Sequence, residues 1–285
     1  MTQKSLVPGA TLHDNEQGGP TLTLKHDAFQ AEISLDGGQL TAYQAHGQPP
    51  LLYLSPLAYR VQGKAIRGGV PVCWPWFGPH PHDAALPQHG VARTARWTLS
   101  DVSRTDDGFS VELLGPDFHG LKVESCLQLC AAHVDITLTT HNHGTTARSY
   151  SAALHTYLAI GNADSARVQG LAHGRYQDKV HRQSGVLYED TLPCRGELDL
   201  IVYGRTGVTL VDEVWQRQIV VENAGSDSLV LWNPGEDKAR TLKDLPPDGW
   251  RDFFCIEAAN AEDDARQIEA GESHTLGTRL MAIPL

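Results

Sequence analysis

The stretch AFQAEISL, residues 28–35, alternates apolar and polar side chains along its whole length. The apolar positions are Phe29, Ala31, Ile33 and Leu35, and the positions between them are Gln30, Glu32 and Ser34. A period of two residues is typical of a β-strand with one buried face, because successive side chains point to opposite faces. Asp36-Gly37-Gly38 follows as a turn and residues 39–44 alternate again, which predicts antiparallel strands.

The same pattern recurs along the chain, with turn residues between the alternating runs. Further strands are predicted at 21–24, 96–103, 109–114, 122–130, 133–142, 148–160, 168–171, 198–203, 208–212, 218–223, 228–233, 253–258 and 273–282. The only helical structure expected is one short turn within residues 240–247. The sequence therefore predicts an all-β protein, mostly antiparallel, with a sandwich or barrel architecture.

The domain organisation is predicted from composition. Residues 1–20 show no regular pattern and are expected to form an irregular N-terminal segment. No Pro/Ser-rich linker divides the remaining chain, so residues 21–285 are predicted to form a single β domain.

The net charge indicates which binding partners the protein could have, and the cysteine content indicates its cellular compartment. A net charge of −11 argues against nucleic acid or an anionic membrane as the main partner, but a few local arginines could still bind a small anion. The five cysteines are odd in number and form no CxxC motif, which argues against a disulfide framework. The N-terminus has no apolar signal-like run, and no segment is long enough to span a bilayer. We expect a cytoplasmic monomer.

Residues 66–93 read IRGGVPVCWPWFGPHPHDAALPQHGVAR and concentrate Gly, Pro, Trp, His and Arg. Proline excludes a continuous helix here, and glycine allows close backbone approach. Arginine forks, titratable histidines and flat indole rings suit a loop that binds a polar ligand. The alternative is a structural loop that packs Trp74 and Trp76 into the core, and composition does not separate the two interpretations.

Metal and nucleotide sites have little support. His80 and His82, and likewise His141 and His143, are two residues apart and could share the face of a strand. However, the chain has no HExxH or CxxC motif, so no metal is expected. It also lacks a P-loop, a GxGxxG turn and a GxSxG elbow, which leaves nucleotide binding and serine hydrolase chemistry without a signal.

Acid–base chemistry has better candidates. His155 lies within a strand-like run, and Glu257 follows the apolar residues 253–256. Asp199 precedes another apolar run. A histidine and a glutamate could act as general acid and general base, but sequence separation does not say whether they meet in space. Taken singly, residues of these types in such positions are more often structural than catalytic.

Several motifs, taken together, resemble the glucose-6-phosphate 1-epimerase family (hexose-6-phosphate mutarotases) of the aldose 1-epimerase superfamily. The resemblance rests on RGGVPVCWPWFG at 67–78, QHGVAR at 88–93, LHTYL at 154–158, ELD at 197–199, WNP at 232–234 and CIE at 255–257. It implies a twisted β-supersandwich, no cofactor, and interconversion of the α and β anomers of a hexose 6-phosphate.

The resemblance also implies site roles. His155 would be the general acid for the ring oxygen, and Glu257 the general base for the C1 hydroxyl. The substrate-binding residues would be Arg67, Gln88, His89, Arg93 and Asp199, with the arginines contacting substrate and phosphate. Two alternatives stay open: an aldose 1-epimerase acting on free sugars, and a non-catalytic carbohydrate-binding protein.

Overall fold

The computed structural model describes residues 2–15 and 19–285. Within these residues the chain forms strands β1–β24, numbered in chain order, and very little helix. The helical pieces are α1 (Gly235–Ala239) and three 3₁₀ turns, at Ala92–Thr94, Gly249–Asp252 and Glu262–Asp264. Within the described ranges, no helix is long and apolar enough to cross a membrane.

The first sheet is a five-stranded meander in chain order. Its strands are β1 (Thr2–Ser5), β2 (Ala10–Asn15), β3 (Gly19–Lys25), β4 (Phe29–Ser34) and β5 (Gln39–Ala45). The predicted irregularity of residues 1–20 is therefore wrong for 2–5 and 10–15, while Met1 and residues 16–18 lie outside the described residues. β2 pairs with β3 through backbone hydrogen bonds, which need no apolar alternation in the sequence.

The second sheet has eight strands and carries the candidate site. Its path is β16-β15-β18-β21-β22-β12-β6, and β13 also pairs with β22. The bounds are β6 (Val72–Cys73), β12 (Ala152–Leu154), β13 (Tyr157–Ala159), β15 (Arg175–Asp178), β16 (Gln183–Val186), β18 (Leu198–Tyr203), β21 (Ser228–Asn233) and β22 (Phe253–Asn260).

The third sheet has nine strands in the order β17-β14-β19-β20-β24-β10-β9-β8-β7. Its bounds are β7 (Thr98–Arg104), β8 (Gly108–Phe118), β9 (Leu121–Cys130), β10 (Val134–Asn142), β14 (Ala166–Gln169), β17 (Thr191–Pro193), β19 (Gly207–Asp212), β20 (Arg217–Ala224) and β24 (Ser273–Pro284). A two-stranded ribbon joins β11 (Arg148–Tyr150) to β23 (Arg266–Ile268).

The main hydrophobic core collects side chains from all three large sheets into one buried cluster. Phe29 comes from the first sheet, Leu231 and Phe254 from the second, and Leu138 and Leu280 from the third. These packed antiparallel sheets confirm the predicted all-β sandwich. A smaller apolar cluster that includes Cys73, Ala153, Ile201 and Val230 belongs to the eight-stranded sheet alone.

Two local predictions were wrong in detail. The helix lies at Gly235–Ala239 instead of within residues 240–247. The run at 148–160, expected to be one strand, is divided into β11, β12 and β13. The second break falls at His155-Thr156, where the chain leaves the regular ladder beside β22.

Candidate active site

His155 and Glu257 are brought together by strand pairing. Leu154 lies opposite Ala258 and Tyr157 lies opposite Cys255, so the same register places His155 directly across from Glu257. Directly opposed side chains in an antiparallel pair share one face. The His155 Nε2 to Glu257 Oε1 distance is 3.3 Å.

Burial alters the acid–base properties of both groups. The residues are only 7% (His155) and 1% (Glu257) exposed. Desolvation, reinforced by the charge of Asp199, raises the pKa of Glu257 well above its ordinary value. Desolvation, with His89 and two arginines, lowers the pKa of His155 well below 6.5. Among the described residues, His155 Nδ1 and Glu257 Oε2 have no hydrogen-bond partner, so each keeps an unused capacity to bond a ligand.

Aromatic rings surround the pair. Tyr157 stacks on the imidazole of His155, with the centroids 4.9 Å apart and the planes 14° apart. Trp232 meets the same imidazole edge-on at 5.6 Å. Trp232 is half-buried, so part of the residue stays accessible to solvent. Tyr157 and Trp232 thus form an apolar wall at the site, a role for which sequence reasoning had considered only Trp74 and Trp76.

Trp74 and Trp76 are instead structural. Trp74 is fully buried, and its indole Nε1 donates a hydrogen bond to Thr140 Oγ1 at 3.0 Å. Trp76 is 5% exposed and donates to the carbonyl oxygen of Pro87 at 2.9 Å. Trp74 thus ties the 66–93 loop to β10, whereas the Trp76 hydrogen bond lies within the loop and its ring packs edge-on against Phe118 of β8. These contacts favour the core interpretation of both residues.

The end of that loop brings His89 and Arg93 to the site. His89 has a positive φ of 63°, and its ring centroid lies 6.0 Å from that of His155. Its backbone N–H donates to Gly78 O, and its Nδ1 accepts from Gly78 N–H. Burial, then Arg93 and Arg67, lower the pKa of His89 to about 3, so this imidazole is neutral at physiological pH. Gln88 is exposed, and its backbone carbonyl oxygen accepts a hydrogen bond from Arg93 Nη2 at 2.7 Å.

Arg67 and Arg93 differ in how they are paired. Arg67 donates to both carboxylate oxygens of Asp244, at 3.2 and 3.1 Å, and to the Tyr157 hydroxyl at 3.0 Å. Arg93 forms no ion pair with a carboxylate within the described ranges, and its Nε has no partner. Arg93 is therefore the better placed of the two to bind an additional anion. Asp244 was not identified from sequence, since an isolated aspartate in a loop carries no distinctive signal.

Asp199 reaches the same face of the sheet through two strand pairs. It lies opposite Trp232, which lies opposite Cys255, two positions from Glu257. Burial raises the pKa of Asp199, and Lys238 and Lys179 act in the opposite direction. Strand register and short-range charge interactions thus bring Arg93 and Asp199 close to the His155–Glu257 pair.

The histidine pairs considered for metal binding have other roles. His80 Nδ1 accepts backbone N–H bonds from His82 and Asp83 within its own loop. His141 bonds through Nε2 to Glu124 and stacks on His143. In the part of the chain that the structure describes, no three His, Cys, Asp or Glu residues are grouped closely enough to hold a metal ion.

Known proteins resemble this chain in sequence and in fold. A family model described as Aldose 1-epimerase matches residues 20–281. A provisionally named glucose-6-phosphate 1-epimerase of Escherichia coli (strain K12) is 30% identical over 266 residues, covering 89% of this chain and 87% of the relative. A relative of the same provisional name from Cenchrus ciliaris is 29% identical over 272 residues, covering 89% of this chain and 82% of its own.

Solved structures agree with these matches. The crystal structure of a provisionally named mutarotase from Salmonella typhimurium superposes with a TM-score of 0.92 at 25% identity, covering 99% of this chain and 96% of that one. The predicted resemblance is confirmed by sequence and fold together. Because the family model spans most of its length, this chain belongs to the aldose 1-epimerase family of isomerases.

Proposed function

We propose that the protein interconverts the α and β anomers of a hexose 6-phosphate, with glucose 6-phosphate as the first candidate. The observation that carries the choice of a sugar phosphate is Arg93, a guanidinium near the His155–Glu257 pair with no carboxylate partner among the described residues. Arginine binds phosphate strongly because its planar fork matches two phosphate oxygens. Relatives with the provisional name glucose-6-phosphate 1-epimerase support the same substrate class.

The proposed chemistry is a ring opening with balanced proton transfers. The Glu257 carboxylate takes the proton from the C1 hydroxyl, while the His155 imidazolium gives a proton to the ring oxygen and the C1–O5 bond breaks. The open-chain aldehyde rotates about C1–C2. The O5 hydroxyl then adds to the other face of the carbonyl, His155 takes the O5 proton, and Glu257 returns a proton to O1.

Burial suits the pair to this exchange. The raised pKa of Glu257 and the lowered pKa of His155 both favour the uncharged forms, in which the carboxyl keeps its proton beside a neutral imidazole. Transfer of this proton across 3.3 Å gives the reactive carboxylate and imidazolium without any change in net charge. Because one proton moves within the pair, the two charges appear together as an ion pair, and neither is buried without a partner.

The remaining residues are assigned to sugar binding. Asp199 accepts sugar hydroxyls, the neutral ring of His89 helps to orient the sugar, and Trp232 packs against an apolar face of the sugar. Arg93 contacts the phosphate. Gln88 holds Arg93 in place, because its backbone carbonyl accepts a hydrogen bond from the Arg93 guanidinium.

Anomer exchange of glucose 6-phosphate, followed by magnetisation-transfer NMR beside free glucose and galactose, tests this proposal. We expect faster exchange of the phosphate sugar, abolished in His155→Ala. Acceleration of free sugars alone would instead favour a plain aldose 1-epimerase. If no sugar exchanges faster, the reaction itself is wrong, and a carbohydrate-binding role becomes the better explanation.

Arg93→Ala distinguishes phosphate binding from a general loss of function. We expect it to lower kcat/KM for the sugar phosphate at least tenfold more than for free sugar, a difference of about 1.4 kcal/mol. Arg148→Ala removes the same charge from an exposed residue of β11 and serves as the matched control. Equal losses for both substrates in Arg93→Ala would contradict a phosphate contact.

A further inference from the structure

Asp244 forms a bidentate ion pair with Arg67 beside the candidate active site. Its two carboxylate oxygens accept from Nε and Nη2 of Arg67, at 3.2 and 3.1 Å. The side chains of Arg67 and Asp244 are only 21% and 15% exposed, so water screens this pair weakly. The loop that carries Asp244 is tied down by Ser55, whose hydroxyl donates to the Asp244 carbonyl at 2.6 Å.

The Asp244 carboxylate offsets the charge of Arg67. Arg67 stays protonated, but the bidentate ion pair as a whole carries no net charge, so it attracts a substrate anion less than an unpaired arginine would. The remaining N–H groups of Arg67 can still donate to a hydroxyl. In the described part of the chain, Arg93 donates only to a neutral backbone carbonyl, that of Gln88, and has no carboxylate to offset its positive charge. The two arginines near His155 therefore differ in their attraction for phosphate.

The Arg67–Asp244 pair also contacts Tyr157, the residue that stacks on the His155 imidazole. Arg67 Nη1 donates to the Tyr157 hydroxyl at 3.0 Å, and Tyr157 is 2% exposed. The Tyr157 ring stacks on His155 with only 14° between the planes. A contiguous series of contacts thus runs from Asp244 through Arg67 and Tyr157 to His155.

We propose that Asp244 is a positioning and specificity-setting residue: it offsets the charge of Arg67 so that phosphate is directed to Arg93, and it holds Arg67 against Tyr157 so that the His155 ring keeps its orientation. The orienting role rests on the proposed function, because it concerns the rate of anomer exchange. The charge role does not, because binding of inorganic phosphate measures it without any turnover.

Inorganic phosphate binding, measured by calorimetry, tests the charge role. Asp244→Asn keeps the shape of the side chain and frees the charge of Arg67, so we expect phosphate to bind about five- to tenfold more tightly than in the unsubstituted protein. Arg93→Ala should lose phosphate binding, and Arg93→Ala combined with Asp244→Asn should regain it through Arg67. Unchanged or weaker binding in Asp244→Asn, or no recovery in the double variant, overturns the proposal.

Anomer exchange tests the orienting role. We expect kcat to fall at least tenfold in Asp244→Asn while KM for the sugar phosphate stays constant or falls, and Asp244→Glu to restore part of kcat. Asp248→Asn, an exposed carboxylate in the same loop, is the matched control and should leave both unchanged. A constant kcat in Asp244→Asn, or a fall in kcat with a rise in KM, overturns the orienting role.

The two measurements also separate this inference from the proposed function. If the unsubstituted protein exchanges no anomers, the proposed function fails, and the phosphate titration alone then supports or overturns the role of Asp244. Thermal unfolding of each variant identifies any that has lost its fold.

Discussion

His155 and Glu257 face each other in antiparallel register, and 3.3 Å separates the imidazole Nε2 from the carboxylate Oε1. The register places them opposite one another at a point where the regular strand ladder is interrupted. Thr156 there accepts a hydrogen bond from the backbone N–H of Ile256, which keeps the two segments together. A rigid sheet therefore supports this pair, which is the condition for precise placement of catalytic groups.

Replacing either member of the pair is expected to abolish most of the activity. His155→Gln and Glu257→Gln should each lower kcat by about 10²- to 10⁴-fold, the typical contribution of a positioned acid or base. His82→Gln, on an exposed loop, is the control and should retain activity. Because the two groups act as one unit, the double variant should be little worse than the poorer single variant. Strictly additive losses would contradict a shared-proton mechanism.

The activity is expected to follow a bell-shaped pH profile that is broad around neutrality. Acid inactivates the enzyme when the pair gains a second proton, which requires a pH below the lowered pKa of His155 and therefore below 6.5. Alkali inactivates it when the pair loses its last proton, above the raised pKa of Glu257. His89, with a pKa of about 3, does not contribute to the acid limb near neutrality.

The profile of kcat/KM, corrected for the phosphate group of the substrate, which titrates near pH 6, checks this prediction. An acid limb at or above 6.5 would show that His155 is not desolvated in the working enzyme. Glu124→Gln, which changes a glutamate of the nine-stranded sheet, controls for a general effect of carboxylate loss.

Glu257→Gln is expected to stabilise the fold while removing activity. A carboxyl whose pKa is raised by folding makes the protein less stable as pH increases from about 4.5 up to the raised pKa, because the unfolded chain releases the proton first. Glutamine keeps the shape without this penalty. At pH 8 we expect the free energy of unfolding to exceed that of the unsubstituted protein by about 1–3 kcal/mol.

Urea unfolding at pH 5 and pH 8 measures this difference. The gap between Glu257→Gln and the unsubstituted protein should widen with pH, whereas Glu189→Gln, at an exposed position, should show no such trend. A variant that is less stable at pH 8 would indicate that the carboxylate is stabilised in place by interactions beyond those described.

The two kinds of tryptophan at this end of the molecule are expected to respond differently. Trp74→Phe removes the indole N–H that donates to the buried Thr140 hydroxyl. It should therefore cost about 1–3 kcal/mol of stability and leave KM unchanged. Trp232→Ala should raise KM about three- to tenfold, because it removes the half-buried wall beside His155. Urea unfolding and steady-state kinetics on both variants test this prediction. A larger change in KM for Trp74→Phe than for Trp232→Ala would place Trp74 in the sugar site.

Gly90 is expected to tolerate no side chain. A Cβ there would lie 1.9 Å from the carbonyl oxygen of Trp74, and φ is +76°. Gly78, at a φ of +77°, is the matched control because nothing lies within 4 Å of its Cβ position. Both alanine variants incur the left-handed backbone strain of about 1–2 kcal/mol. Gly90→Ala should cost about 1–3 kcal/mol more, because the loop that presents His89 must also shift. Equal stabilities would show that the loop adapts freely.

The strands that carry one buried face were predictable, because alternation is a local property of the chain. The run at 134–142 buries every second residue and forms β10 as the sequence indicated. The strands β1 and β2 were missed, since their pairing depends on the backbones of neighbouring strands rather than on an alternating pattern of their own. The position of α1 was also missed, because a helix of one turn has little periodicity to detect.

Sequence by itself determined the composition of the site: the arginine- and histidine-bearing loop at 66–93, the histidine within 154–158 and the glutamate that ends 253–257. Tertiary structure alone decided which of these side chains meet. The antiparallel register of β12, β13 and β22 set His155 against Glu257. The packing of the loop turned Trp74 inward, and β21 left Trp232 half-buried beside His155. It also paired Arg67 with Asp244 and left Arg93 without a carboxylate among the described residues. The physical reason is that pKa, charge and orientation depend on which groups lie within a few ångströms, and contacts between residues far apart in the chain are decided by how its sheets pack rather than by local pattern.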